Sequence, residues 1–263
     1  MIPMPLLLAG VSLTFAPPAL AQSVFDGTWK ADIAAAKLST KPNTFAIQGG
    51  VYRCSTCVPA YSIPADGQFH KVAGKDYWDE ESATILDASS VRFVQRRGGK
   101  EVGTSTQTLS PDGATLTTNW SSNDTANGRT SSGVSTETRI APAPAGAHAL
   151  SGSWRADKLQ QATDDNVTIT FQTTPTTINV SFLTGEHYLA TFGGPAVPVI
   201  GDPSGQMMAA KKLGPRAIEL TSLHHGKVDS VALVTIAPDG RTGTYANINK
   251  RTGGSTSFPI IKQ

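Results

Sequence analysis

The sequence predicts an all-β protein built as two tandem antiparallel up-and-down β-barrels, and three observations carry that expectation. Apolar and polar residues alternate with period two over long stretches, as in Val91-Arg-Phe-Val-Gln-Arg96. Turn signals punctuate these runs at short intervals, among them Arg97-Gly-Gly-Lys100, Ser110-Pro-Asp-Gly113 and Pro238-Asp-Gly240. The chain is also written twice. Gly27-Thr-Trp29-Lys-Ala-Asp32 returns 125 residues on as Gly152-Ser-Trp154-Arg-Ala-Asp157, and Ser110-Pro-Asp-Gly113 returns at 127 as Ala237-Pro-Asp-Gly240. A meander must hide its edge strands, and closing the sheet on itself is the simplest way to do so.

The elements follow in order. Leu6 to Phe15 is an apolar run of ten residues, followed by Pro17-Pro18 and the small-x-small pattern Ala19-Leu20-Ala21. That is the layout of a secretory signal peptide over residues 1–21, although Met1 to Pro5 carries no Lys or Arg. Gln22 is the expected first mature residue, and the expected location is periplasmic or secreted. The run is too short to span a bilayer, which takes about 20 apolar residues. Residues 22–140 read as one barrel domain, the Pro/Ala-rich segment Ala141 to Ala149 as a linker, and residues 150–263 as a second domain. The first contains strands over Val91–Arg96, Val102–Leu109 and Thr115–Trp120. The second contains Val167–Thr173, Thr177–Leu183, His187–Phe192, Met207–Lys211, Ala217–Leu223, Val228–Ile236 and Thr242–Ile248. A minor helix of two turns is expected over Ala31–Leu38, after the first strand.

Composition narrows the function classes. Of 263 residues, 22 are Lys or Arg and 20 are Asp or Glu, a formal net charge of +2. So even a balance calls for neither nucleic acid nor an anionic membrane as partner. Only 16% of residues are charged and 39% are hydrophobic, enough apolar side chain for a core. No membrane span follows Gln22. Nothing in the sequence fixes the oligomeric state.

Gly-x-Trp on the first strand of such a barrel resembles the opening motif of the lipocalin-like superfamily. In that superfamily the Trp closes the barrel floor under a cation from the last strand. The resemblance implies this place for Gly27 and Trp29 in the first half and for Gly152 and Trp154 in the second. Arg139 and Lys262 are then the positional candidates for the cation of the first and second half. The longer pattern is similar to an uncharacterised bacterial secreted family with tandem domains of this kind. It comprises Gly-Thr-Trp-Lys, the loop Tyr52-x-Cys54-x-x-Cys57-x-Pro59, Pro64-Ala-Asp-Gly67-x-x-His70-x-Val72-x-Gly74 and Ser110-Pro-Asp-Gly-Ala-Thr-Leu116. The resemblance covers the mature chain and implies export, but no activity.

The candidates for chemistry are few. Cys54 and Cys57, three apart in an oxidising compartment, read first as a small-loop disulfide that pins a local turn. Metal binding, redox chemistry and unpaired thiols are the alternatives, and the second half lacks the pair. Flanking Gly50-Val-Tyr-Arg53 and Val58-Pro-Ala-Tyr61 are not helical, which speaks against a redox motif. Tyr61, Tyr77 and Trp78 lie near this loop and form a candidate ligand mouth or a core plug, with His70 as a rim ligand or a solvated strand-end residue. His224-His225 falls at a hairpin, where neighbours point to opposite faces. Asp79-Glu80-Glu81 reads as a solvated loop. No Gly-x-Ser-x-Gly elbow, phosphate loop, dinucleotide fingerprint or His-Glu-x-x-His is present. The sequence therefore assigns no catalytic residue, no metal and no cofactor. The expected role is binding of a small apolar or amphipathic molecule in a barrel. The alternatives are an isomerase- or lyase-type enzyme without a known motif, or a structural envelope protein with filled barrels.

Overall fold

The backbone pairs as the alternation demands, in strands joined mostly by tight turns. A computed structural model describes residues 23–263; the signal peptide expected over residues 1–21, and Gln22, lie outside the described residues. In chain order the strands are β1 (Gly27–Ala31), β2 (Asn43–Gln48), β3 (Val51–Cys54), β4 (Tyr61–Pro64), β5 (His70–Lys71), β6 (Glu80–Asp87), β7 (Ser90–Arg97), β8 (Lys100–Leu109), β9 (Thr115–Ser122), β10 (Ser131–Ala141) and β11 (Gly152–Ala162). One helical turn, α1 (Asp164–Val167), leads to β12 (Thr168–Thr173), β13 (Thr177–Phe182), β14 (His187–Thr191), β15 (Val197–Pro198), β16 (Met207–Gly214), β17 (Ala217–His224), β18 (Lys227–Ile236), β19 (Thr242–Asn249) and β20 (Ser255–Lys262).

These strands make two ten-stranded antiparallel sheets. The first runs β4-β3-β2-β11-β10-β9-β8-β7-β6-β5 and the second β14-β13-β12-β1-β20-β19-β18-β17-β16-β15. Bridges between Asp66 and Thr84 in one, and between Phe192 and Ala210 in the other, bring the two ends of each sheet together. Both sheets are thus nearly closed barrels, as the periodicity predicts. No helix among the described residues is long and apolar enough to cross a membrane.

The domain boundaries drawn from the repeats need correction. The two Gly-x-Trp strands are exchanged between the barrels. β11 belongs to the first barrel, where Trp154 pairs with Arg139 of β10 and with Asn43 of β2. β1 belongs to the second, where Trp29 pairs with Lys262 of β20 and Ile169 of β12. The first barrel is therefore residues 43–162, and the second is residues 23–31 with 168–262. The physical reason is chain locality. After β10 the connector is short, so β11 folds back on β10 as a hairpin with little loop-closure entropy. The second barrel is left one strand short, and β1 fills the gap.

The exchange swaps the cations as well. Arg139 lies over the Trp154 ring, 4.1 Å from guanidinium carbon to ring centre, and the Lys262 ammonium is 5.6 Å from the Trp29 ring centre. Each cation covers the Trp of the other repeat. Both indoles are fully buried. Their N–H groups donate to the carbonyl four residues back, Trp29 to Phe25 at 2.7 Å and Trp154 to Leu150 at 3.0 Å. The glycine two residues before each Trp is obligatory for a backbone reason: φ is +122° at Gly27 and +137° at Gly152, where a side chain would be strained.

Each barrel has its own core. Phe171, Ile178, Leu220 and Val234 surround Trp29, and Phe45, Ile47, Phe93 and Leu116 surround Trp154. The helix expected over Ala31–Leu38 does not form. Asp32 Oδ1 accepts from the amides of Ala34 and Ala35 in a single turn, and Lys37 then bridges to Ser257 beside β20. Pairing to an open strand outweighs a weak local helix preference.

Candidate functional site

The two barrels meet at their open ends, and the loop between β5 and β6 lies at the junction. Lys75, Asp76, Tyr77 and Trp78 are held there by several anchors. Lys75 Nζ donates to the carbonyls of Val58 (3.2 Å) and Pro59 (2.8 Å), and Arg97 donates to Tyr77 O at 3.1 Å. Arg97 is itself fixed by a bidentate pair with Asp124, 2.5 and 2.6 Å. Across the junction Arg251 of the second barrel donates to Asp76 at 2.6 Å and to Val58 O at 3.1 Å.

Three of the four residues expected at a ligand mouth gather here. Trp78 packs edge-on against Tyr61, ring centres 5.7 Å apart, and the Lys75 ammonium lies 4.6 Å from the Tyr61 ring centre. Tyr77 and Trp78 line pockets on both sides of the junction. His70 does not join them: its Nε2 pairs with Asp66 at 2.9 Å in the turn before β5. Cys54 and Cys57 are disulfide-bonded, and Cys54 is buried against the first core. The bond fixes the loop leading to Tyr61.

Glu81 corrects the solvated-loop expectation for Asp79-Glu80-Glu81. Glu80 does pair with Lys71 at the surface, 3.0 Å. Glu81 instead points into the first barrel, 3% exposed, accepting from the Tyr61 hydroxyl at 2.6 Å and from Gln95 Nε2 at 2.7 Å. Burial pushes its carboxyl above the ordinary 4.5. It pushes the Tyr61 hydroxyl up as well. The period-two pattern places Glu81 on the same face as Ala83, which is the signal that would have found it.

Trp120 is the residue that sequence reasoning passed over as a strand end. Its indole lies across Gly133 of β10, where an added Cβ would sit 2.4 Å from the ring. Only glycine leaves room for that ring. Trp120 borders an apolar cleft of about 380 Å³ whose walls include Leu159, Phe182, Tyr245, Phe258 and Ile260. The same side chain borders a second pocket of about 470 Å³ between the barrels, whose walls mix Trp78 and Val102 with Gln95, Ser105, Ser122 and Asp124. An apolar cleft and a pocket of mixed lining thus share one wall.

The second barrel's mouth is a polar pocket of about 390 Å³. The β17–β18 hairpin shapes it. His225, φ +49°, and Gly226, φ +75°, form the two-residue turn. This turn leaves His225 exposed and His224 buried, the opposite facing that alternation requires. A bulge in the pairing between Ser222 and Leu223 makes Asp229 the extra residue of β18. Asp229 meets His224 Nδ1 through its carboxylate, and His224 Nε2 lies 2.7 Å from Ser204 Oγ. Asp76, His224 and Asp229 place donor atoms within 4.8 Å of one another, but Arg251 already neutralises the two carboxylates at 2.6 and 3.9 Å.

Compared with protein-family models, curated proteins and solved structures, the chain matches none.

Proposed function

We propose that this protein is an exported, lipocalin-like carrier or sensor that binds a small amphipathic molecule at the junction of its barrels. The observation that supports this reading is the apolar cleft beside Trp120, which shares the indole with a pocket that also carries Ser, Gln and Asp side chains. A volume of about 380 Å³ is in the range of small-ligand sites, about 300–1,000 Å³. The apolar part of a ligand would lie against Phe182, Tyr245 and Phe258. Its head group would reach the hydroxyls of Ser105 and Ser122. Trp29 and Trp154 are fully buried within the two cores, so we place the ligand at the Trp120 cleft instead.

The test is titration of the purified protein with a medium-chain fatty acid and with an anilinonaphthalene sulfonate probe, followed by tryptophan emission. Saturable binding is expected, lost in Trp120→Ala and weakened in Gly133→Ala, where the added methyl displaces the indole. Absence of saturable binding, or equal binding by Trp120→Ala, overturns the assignment. Export is tested separately: intact mass of protein from the cell envelope should correspond to a chain beginning within a residue or two of Gln22.

A further inference from the structure

The pocket that shares Trp120 with the apolar cleft has charged groups of one sign in its walls. Asp124 and Glu186 line it and, among the described residues, no Lys, Arg or His does. The two carboxylates are not equivalent. Arg97 neutralises Asp124 through its bidentate pair, whereas Glu186 takes part in no ion pair among the described residues. Glu186 sits in the turn between β13 and β14, where its Oε1 accepts the Ala126 amide at 3.0 Å. That bond leaves its charge uncompensated. The nearby Lys75 ammonium, 5.8 Å from the Trp78 ring centre, is committed to the carbonyls of Val58 and Pro59. Three aromatic side chains, Tyr77, Trp78 and Trp120, complete the wall. Aromatic faces are electron-rich, so rings gathered beside a free carboxylate favour a cation.

We propose that this pocket receives the quaternary ammonium head of a cationic amphiphile whose tail lies in the Trp120 cleft. This ligand class rests on the binding reading given above and deepens it. Trp120 and Asn166 border both spaces, so head and tail lie on either side of one indole. The cleft has no charged side chain in its walls, which include Leu159, Phe182, Tyr245 and Phe258. It takes the apolar tail and leaves the charge to the neighbouring pocket, since an unpaired charge among apolar groups is costly.

The pocket's chemistry selects the head group. A carboxylate head would meet Glu186 with no free cation to offset it, and like charges brought together out of water repel. A primary ammonium brings three N–H groups, each of which needs an acceptor once it leaves water. A trimethylammonium has no N–H to satisfy, and ring faces with one carboxylate suit its charge. The hydroxyls of Ser105 and Ser122 rotate freely enough to turn oxygen lone pairs toward it. The volume, about 470 Å³, lies in the range of small-ligand sites.

The experiment is calorimetric titration of the full-length mature protein with decyltrimethylammonium, decanoate and decanol below their micelle or solubility limits, and with tetramethylammonium. Decyltrimethylammonium is expected to bind about tenfold tighter than decanoate. Tetramethylammonium should bind weakly and compete with it. Glu186→Gln keeps the oxygen that accepts the Ala126 amide and loses the charge. It should shrink the preference for the cation and leave decanol binding unchanged, whereas Trp120→Ala should weaken all three decyl ligands. Added salt should weaken the cation and spare decanol. Decanoate bound as tightly as the cation, or a preference undiminished in Glu186→Gln, overturns the proposal and leaves the cleft reading standing. If decanol does not bind, the cleft reading fails, and tetramethylammonium alone decides the head-group pocket: no binding of it overturns the proposal too.

Discussion

Replacing Trp154 by Ala should unfold the barrel formed by the first half of the chain, although Trp154 lies in the second repeat. The indole is fully buried, and truncating such a ring costs about 3–5 kcal/mol. Arg139 loses the ring face it covers at 4.1 Å, about 1 kcal/mol more for a partly desolvated cation–π pair. The Leu150 carbonyl loses its 3.0 Å donor inside the core, a further cost of about 1 kcal/mol. Together these approach about 6 kcal/mol, a large part of a domain's roughly 5–15. For a unit of this size each kcal/mol lowers Tm by about 3–5 °C, so a drop of about 20 °C is expected. Amide hydrogen exchange read by segment locates the damage. Protection should fall across β2–β11 in Trp154→Ala and across β1 and β12–β20 in Trp29→Ala. If Trp154→Ala instead exposes β12–β20 and spares β6–β10, the strands are not exchanged and the pairing described above is wrong.

Three other outcomes are expected. A fragment spanning residues 41–163 holds every strand of the first sheet and should give a cooperative melt by circular dichroism, whereas residues 22–140 lack β11 and should not. Cys54→Ser should cost no more than about 2 kcal/mol, since the bond closes only a short loop, and unreduced wild type should show no free thiol on titration after unfolding. Glu81→Gln should raise the first barrel's Tm at pH 8 and leave it unchanged near pH 4. Burial holds the folded carboxyl above 4.5, so its contribution is full below that value and is lost as pH rises through the raised one. A Tm difference equal at both pH values would show that charge burial is not the cause.

Alternation and turn residues were enough to locate most strands of the second half to within a residue or two. For example, Thr177–Leu183 was expected and β13 is Thr177–Phe182. The same signals announced the antiparallel barrel class, because each depends on neighbours in the chain. Spacing also announced the disulfide, since Cys54 and Cys57 can reach each other within one turn. The paired tryptophans and their covering cations were legible as residue types. Which cation covers which Trp was not, because repeat phase says only that positions are equivalent and is silent on which copy's edge a strand joins. The hairpin of β10 with β11 decided that through loop-closure entropy. The candidate sites were hidden for a related reason. Trp78 and Glu186 come from a loop and a turn, and Trp120 meets Leu159 and Phe258 only where the barrels touch. Periodicity fixes the face on which a side chain lies; the closing of two barrels against each other fixes what stands opposite it.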